Sequence, residues 1–339
     1  MKKTLVALAA LAAFGSASAQ VTLYGKADLG LGATTVTNKV DQGLEVTGSA
    51  YEGSRLGVKA AHPLGGGITA LAQYEFGMDV AGYNAALAAN RVATLGVTGG
   101  FGTVTAGLQW TPYDSAWGFD QLEYNGFSAA GKAWYNGVHG DNGNTGNGNA
   151  KKSIAYTTPN MSGFDATILY SNPAEDTATA SAVKYVGLGA NYAAGALAVN
   201  FGYEQVGSIE QVAAASASDK TNAYIIGASY DLGSAKIGAG FQQANVDAVG
   251  KSWKDSGYTV SLGVPVSATT TFALGYATET TTSAGLSDGK ATSFGAQAIY
   301  NMTKQVAVYG GAVQTKATAI NTTTEITSMK YAAGVRYNF

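Results

Sequence analysis

The stretch Met329-Lys-Tyr-Ala-Ala-Gly-Val-Arg-Tyr-Asn-Phe339 alternates without a break. Met329, Tyr331, Ala333, Val335, Tyr337 and Phe339 fall on one side. Lys330, Ala332, Gly334, Arg336 and Asn338 fall on the other. A period of two predicts a β-strand with one apolar face and one polar or small face. Such a strand finishing on an aromatic fits an outer-membrane β-barrel, whose last strand seals against its first while its outer face meets lipid.

The opposite end agrees. Lys2 and Lys3, an apolar run from Leu5 to Phe14, and Ala17-Ser18-Ala19 before Gln20 have the layout of a cleavable signal peptide over residues 1–19. The apolar run is shorter than the ~20 residues a spanning helix needs. Residues 20–339 then form one domain. Without Lys2 and Lys3, a chain of 20 Lys+Arg and 22 Asp+Glu carries about −4.

Composition narrows the class. Gly is abundant at 46 residues, Tyr numbers 20 and Pro only 5, and the charged fraction is 12%. The glycines follow no three-residue period, which excludes collagen-like repeats. Beyond the signal segment no apolar run is long enough for a spanning helix, so a membrane protein of this composition spans as strands. There is no cysteine, so pairing and packing hold the fold without disulfides. His62 and His139 are the only histidines and lie far apart. No metal-ligand spacing, catalytic constellation or cofactor motif is visible, and His62 reads as a turn or strand-end residue.

Sixteen alternating segments follow, near 21–33, 53–62, 67–78, 90–98, 103–110, 151–158, 163–171, 183–193, 196–206, 221–231, 235–245, 256–266, 270–279, 291–301, 305–315 and 329–339. That spacing is about 20 residues per strand and connection. Short connections such as Pro63–Gly66 and Gly99–Gly102 alternate with longer ones, including 34–52, 246–255 and, longest of all, 111–150. The expectation is all-β, a transmembrane antiparallel β-barrel of 16 strands with short periplasmic turns and long outer loops.

The connection 111–150, the third long loop (L3), carries Trp117, Phe119, Tyr124, Phe127, Trp134 and Tyr135 and ends in an Asn/Gly-rich tail, Asp141–Asn149. Aromatics in that number need burial, which predicts that L3 folds into the lumen and narrows it. The alternative is an external loop covering the mouth.

The chain resembles the Gram-negative general diffusion porins of the non-enteric branch. The resemblance is carried by Val21-Thr-Leu-Tyr-Gly-Lys-Ala-Asp28, Gly53-Ser-Arg-Leu-Gly-Val58, Phe101-Gly-Thr-Val-Thr-Ala-Gly107, Ser153-Ile-Ala-Tyr156, Tyr300-Asn-Met-Thr-Lys304 and the aromatic terminus. It implies a homotrimer in the cell outer membrane, in contact with lipid and lipopolysaccharide, and an L3 constriction. It also implies that arginines at Arg55 and Arg91 line one wall of the eyelet. The enteric L3 tetrapeptide Pro-Glu-Phe-Gly is absent, so its acid has no counterpart here.

Alternation puts Arg55 on the lumen face with Gly57 and Lys59, and Lys151 with Ser153. Arg91 shares parity with Ala93, Leu95 and Val97, so it reaches the lumen only through a bulge or a strand end. The L3 acids Asp114, Asp120 and Glu123 are candidates to face these bases across the pore and set a transverse field. Passive diffusion of ions and small hydrophilic solutes, with anion preference from Arg55, Arg91 and Lys151, is the leading function. No nucleic-acid partner is expected. A substrate-specific channel for a sugar or organic anion is the alternative. An enzyme barrel lacks a Gly-x-Ser-x-Gly elbow, and a non-conducting barrel has about eight strands rather than sixteen.

Overall fold

A computed structural model describes residues 20–40, 43–82, 87–123, 125–134, 148–172, 183–208, 220–248 and 251–339. The signal segment 1–19, Tyr124, Tyr135, His139 and most of the Asn/Gly tail of L3 lie outside the described residues. Every pairing in the sheet is antiparallel, and the sheet closes on itself. Strand β1 (Gln20–Val36) pairs with β17 (Glu325–Asn338) on one edge, in the register Lys26↔Asn338 to Val36↔Ser328. On its other edge it pairs first with β3 (Arg55–Gly65) and then with the short β2 (Glu45–Gly48). Sixteen long strands thus form the wall, and β2 completes the upper edge of β1. Closure leaves no unpaired edge, the condition for crossing a bilayer with strands.

The expected seal is present in atomic detail. Phe339 donates its backbone N–H to the Gly25 carbonyl at 3.1 Å, and Gly25 returns one to the Phe339 carbonyl at 2.9 Å. The alternation of the last strand is also realised. Tyr331, Val335 and Tyr337 are exposed on the outer face, while Lys330 and Arg336 engage partners inside.

All sixteen expected segments are strands, but several run longer than alternation suggested. Residues 246–255 read as a loop from their Lys, Asp and Ser content. Instead β12 (Lys236–Ala248) and β13 (Lys251–Pro265) stay paired to Ala248↔Lys251, with Val246 opposite Trp253. Polar residues suit a hairpin that continues beyond the apolar band, because water satisfies both its faces. His62 sits near the end of β3, opposite Ala70 on β4 (Ile68–Met78). Among the described residues L3 contains one short helix, α1 (Ala129–Ala133), capped by Ser128, whose Oγ accepts from the Gly131 N–H at 2.9 Å.

Candidate functional site: the pore lining

L3 lies against the inner wall, on a track of glycines. Phe119 sits over the cross-strand pair Gly227↔Gly240 of β11 (Lys220–Asp231) and β12. A Cβ at Gly227 would lie 1.8 Å from Phe119 Cδ1, and one at Gly240 2.3 Å from Cε2. Leu122 occupies the same kind of site over Gly275↔Gly295, joining β14 (Thr270–Thr282) to β15 (Gly289–Asn301). The Trp134 indole lies on Gly257 and Phe127 on Gly311 of β16 (Val306–Thr318). Phe119, Leu122, Phe127 and Trp134 are buried. At roughly 1.5–3 kcal/mol per buried large apolar side chain, these anchors together outweigh any single contact of the loop. The lumen face is glycine-rich because a loop has to approach it closely.

Polar contacts set the register of the loop on the wall. Tyr113 Oη donates to Gln242 Oε1 at 2.7 Å, and the Gln121 N–H donates to Ser261 Oγ at 3.0 Å. Asn125 Nδ2 donates to Gln297 Oε1 at 2.8 Å, and Trp134 Nε1 to the Thr278 carbonyl at 3.1 Å. The free edge of the loop is tied to the connection between β2 and β3, where the Gly126 N–H donates to the Tyr51 carbonyl at 2.8 Å.

A charged ring faces this edge. Glu52, in the β2–β3 connection, pairs with Lys26 and Arg55 and lies 3.7 Å from Arg336 Nη1. Burial pushes the Glu52 carboxyl up, but Lys26 and Arg55 beside it outweigh that and hold it below its ordinary value. Arg336 also approaches Glu123 of L3 at 3.8 Å and stacks over the Tyr51 ring, whose hydroxyl donates to Glu123 Oε2 at 2.7 Å. Further round the wall, Arg91 Nε donates to Glu75 Oε1 at 2.8 Å and its guanidinium lies over Trp110. Arg91 Nη1 would be 3.6 Å from a Cβ at Gly53, so this pair adjoins the Glu52 cluster. The ring therefore holds Lys26, Arg55, Arg91 and Arg336 against Glu52, Glu75 and Glu123.

The residue segment 5–320 matches the family model described as Gram-negative porin. The chain belongs to the Gram-negative porin family. It is 31% identical over 328 residues to outer membrane porin protein 32 of Delftia acidovorans, covering 91% of this chain and 88% of that one. Its structure resembles an anion-selective porin from Comamonas acidovorans, with a TM-score of 0.78 at 25% identity, over 95% of this chain and 100% of that one. The trimer form of OmpT of Vibrio cholerae shares the fold, with a TM-score of 0.72 at 18% identity, over 95% and 99% of the two chains. The porin is thus a diffusion channel of the cell outer membrane, and family and relatives alike indicate a channel rather than an enzyme.

Within the porin, the six residues singled out from sequence separate. Arg55 and Arg91 share one wall. Arg91 reaches the lumen through a bulge: Glu75 pairs with Val92 and Phe76 with Asn90, which leaves Arg91 as the extra residue. Their direct ion-pair partners are Glu52 of the β2–β3 connection and Glu75 of β4. Of the L3 acids, Glu123 lies 3.8 Å from the wall base Arg336, and Asp114 lies in the field of Arg91. Asp120 makes hydrogen bonds within the loop. It is buried, accepting from Ser128 Oγ at 2.5 Å and from the Leu122 N–H at 3.0 Å, so it sets the turn before α1. Lys151 is exposed and makes no ion pair to the ring among the described residues. Gly107 pairs with Ser153 and Gln109 with Ala150, so Lys151 and Lys152 oppose one residue, and the alternation that pointed Lys151 inward is interrupted.

Alternation could have found Lys26, which shares the polar face of β1 with Asp28, and Arg336, which shares that of β17 with Lys330. Glu52 carries no such signal, because its place depends on how the β2–β3 connection turns.

Asp114, at the root of L3, lies near Arg91, and burial pushes its carboxyl up to about 7 against the pull of that guanidinium. Below pH 7 it is mostly neutral and Arg91 acts with less compensation; above pH 7 it is mostly ionised. One unit charge about 8 Å from the ion path in a wet lumen changes the anion-to-cation permeability ratio about two- to threefold. That ratio should therefore rise as pH falls from 8 to 6. Asp114→Asn should hold the low-pH ratio throughout. Equal pH dependence in wild type and variant would remove Asp114 from the field of the pore.

Proposed function

We propose that the porin passes small hydrophilic solutes through the gap between L3 and the charged wall, with preference for anions, and without covalent chemistry. The observation that carries the selectivity is the surplus of bases in the ring, Lys26, Arg55, Arg91 and Arg336 against Glu52, Glu75 and Glu123. Local charges decide selectivity here, because screening removes distant ones within about 8 Å at physiological salt. The anion-selective relative from Comamonas acidovorans supports the same sign. The aromatics of L3 favour general diffusion over a dedicated sugar track, since Trp117, Phe119, Phe127 and Trp134 are spent on wall packing.

The working unit in this reading is a homotrimer surrounded by lipid and lipopolysaccharide, supported by the trimer form of the Vibrio relative. Each chain begins at Gln20, where β1 starts. Native mass spectrometry of detergent-extracted protein should give three chains, each lacking residues 1–19; a monomer or a full-length chain would overturn the corresponding point. Proteoliposomes should swell in isotonic small neutral sugars at rates that fall with solute size. Proteoliposomes that do not swell at all would rule out general diffusion.

A further inference from the structure

We infer that the porin holds a resting site for a small monocarboxylate with a short apolar chain, below the charged ring and centred on Lys59. The inference rests on the channel reading above and adds a ligand class and a place to it. Lys59 lies on the inner face of β3, four residues beyond Arg55 and so about 13 Å along the strand toward the β3–β4 turn. It lines a cleft with Gln20, Thr22, Leu71, Gln73 and Thr94. Thr22 and Gln73 are its direct cross-strand neighbours on β1 and β4.

Two features make this a site rather than a stray cation. The first is charge. Lys26, Arg55 and Arg336 share Glu52, and Arg91 holds Glu75, whereas Lys59 has no carboxylate partner among the described residues. Its charge is therefore available to a passing anion. The second is positioning. The Lys59 ammonium sits 4.7 Å from the centroid of the Tyr24 ring. That ring lies across Gly57, where a Cβ would be 2.3 Å from Tyr24 Cζ. The Tyr24 hydroxyl accepts from Gln73 Nε2 at 2.7 Å and donates to Glu75 Oε2 at 2.9 Å, which fixes the ring. A substituted glycine or a free tyrosine would leave the ammonium without its platform.

The lining selects the ligand. Lys59 supplies a charge-assisted hydrogen bond, and the hydroxyls of Thr22 and Thr94 and the amide of Gln20 supply neutral ones. These suit a carboxylate. Leu71 and Ala61 of the same cleft offer apolar surface that inorganic phosphate could not use and a short alkyl chain could. A sugar would need an open aromatic face, and Lys59 already covers that of Tyr24. A carboxylate leaving the ring therefore pauses here, and carboxylate flux becomes saturable.

The test is single-channel conductance in planar bilayers as a function of potassium butyrate concentration, with potassium acetate and KCl in parallel. Wild-type conductance should saturate in butyrate. Lys59→Gln should raise the half-saturating concentration about fivefold, as expected for one partly exposed ion pair, and Lys59→Arg should restore it. Leu71→Asn should weaken saturation by butyrate and spare that by acetate. A linear wild-type curve, or equal half-saturation in Lys59→Gln, would overturn the site. A channel of cation sign in KCl that still saturates through Lys59 would uphold this site and overturn the selectivity reading instead. Conductance itself shows that each variant has folded.

Discussion

Replacing Ala116–Lys132 with a short Gly–Ser link should at least about double the single-channel conductance, because the narrowest part of an aqueous pore dominates its resistance. The replaced segment carries the anchors Phe119, Leu122 and Phe127, which hold the loop on the wall rather than over the mouth. The barrel itself should persist, since its strands pair with one another and not through L3. A milder variant asks the same question with the loop intact. Gly240→Val places a branched side chain where a Cβ alone would be 2.3 Å from the Phe119 ring, so Phe119 must leave its seat. That channel should conduct more and fluctuate more between levels. Unchanged conductance in both variants would mean that L3 packs in the lumen without limiting flow.

The second large effect concerns sign. Arg55→Glu combined with Arg336→Glu changes the ring by four charges and leaves Lys26 and Arg91 as its only bases. At about a twofold change in permeability ratio per unit charge, the ratio should shift more than about tenfold and favour cations. The neutral pair Arg55→Ala and Arg336→Ala should fall between wild type and the reversed channel. A reversal potential unmoved by either pair would place the selectivity filter elsewhere. Glu52 touches Lys26, Arg55 and Arg336, so retention of the heat-resistant folded band on gels should accompany each measurement.

The barrel was legible because period two is a local property. Each strand announces itself through its own residues, and Tyr331, Val335 and Tyr337 point outward as their alternation requires. Where the signal failed, a longer-range constraint had taken over. Glu45–Gly48 is too short to show a period, and pairing with β1 makes it a strand. The Arg91 bulge was foreseeable as a need, since parity alone sent that arginine toward lipid, but its position follows from the register against β4. A register shift likewise interrupts the alternation at Lys151.

The site was less legible than the wall that carries it. The inward path of L3 could be argued from its aromatics, whereas the glycines that receive it could not be matched to them. Gly227 and Gly240 become one seat only through strand pairing. Asp120 and Glu123 look alike in sequence, yet one closes a turn on Ser128 and the other reaches Arg336. That division depends on the backbone at Glu123, which takes the left-handed φ of 56° and lifts its side chain from the loop toward the wall.

Reversal potential of the purified wild-type porin in a planar bilayer under a KCl gradient tests the central claim most directly. The surplus of Lys26, Arg55, Arg91 and Arg336 over Glu52, Glu75 and Glu123 predicts stepwise conductance with a reversal potential of chloride sign. A potassium sign would contradict the account and hand selectivity to the carboxylates of the ring.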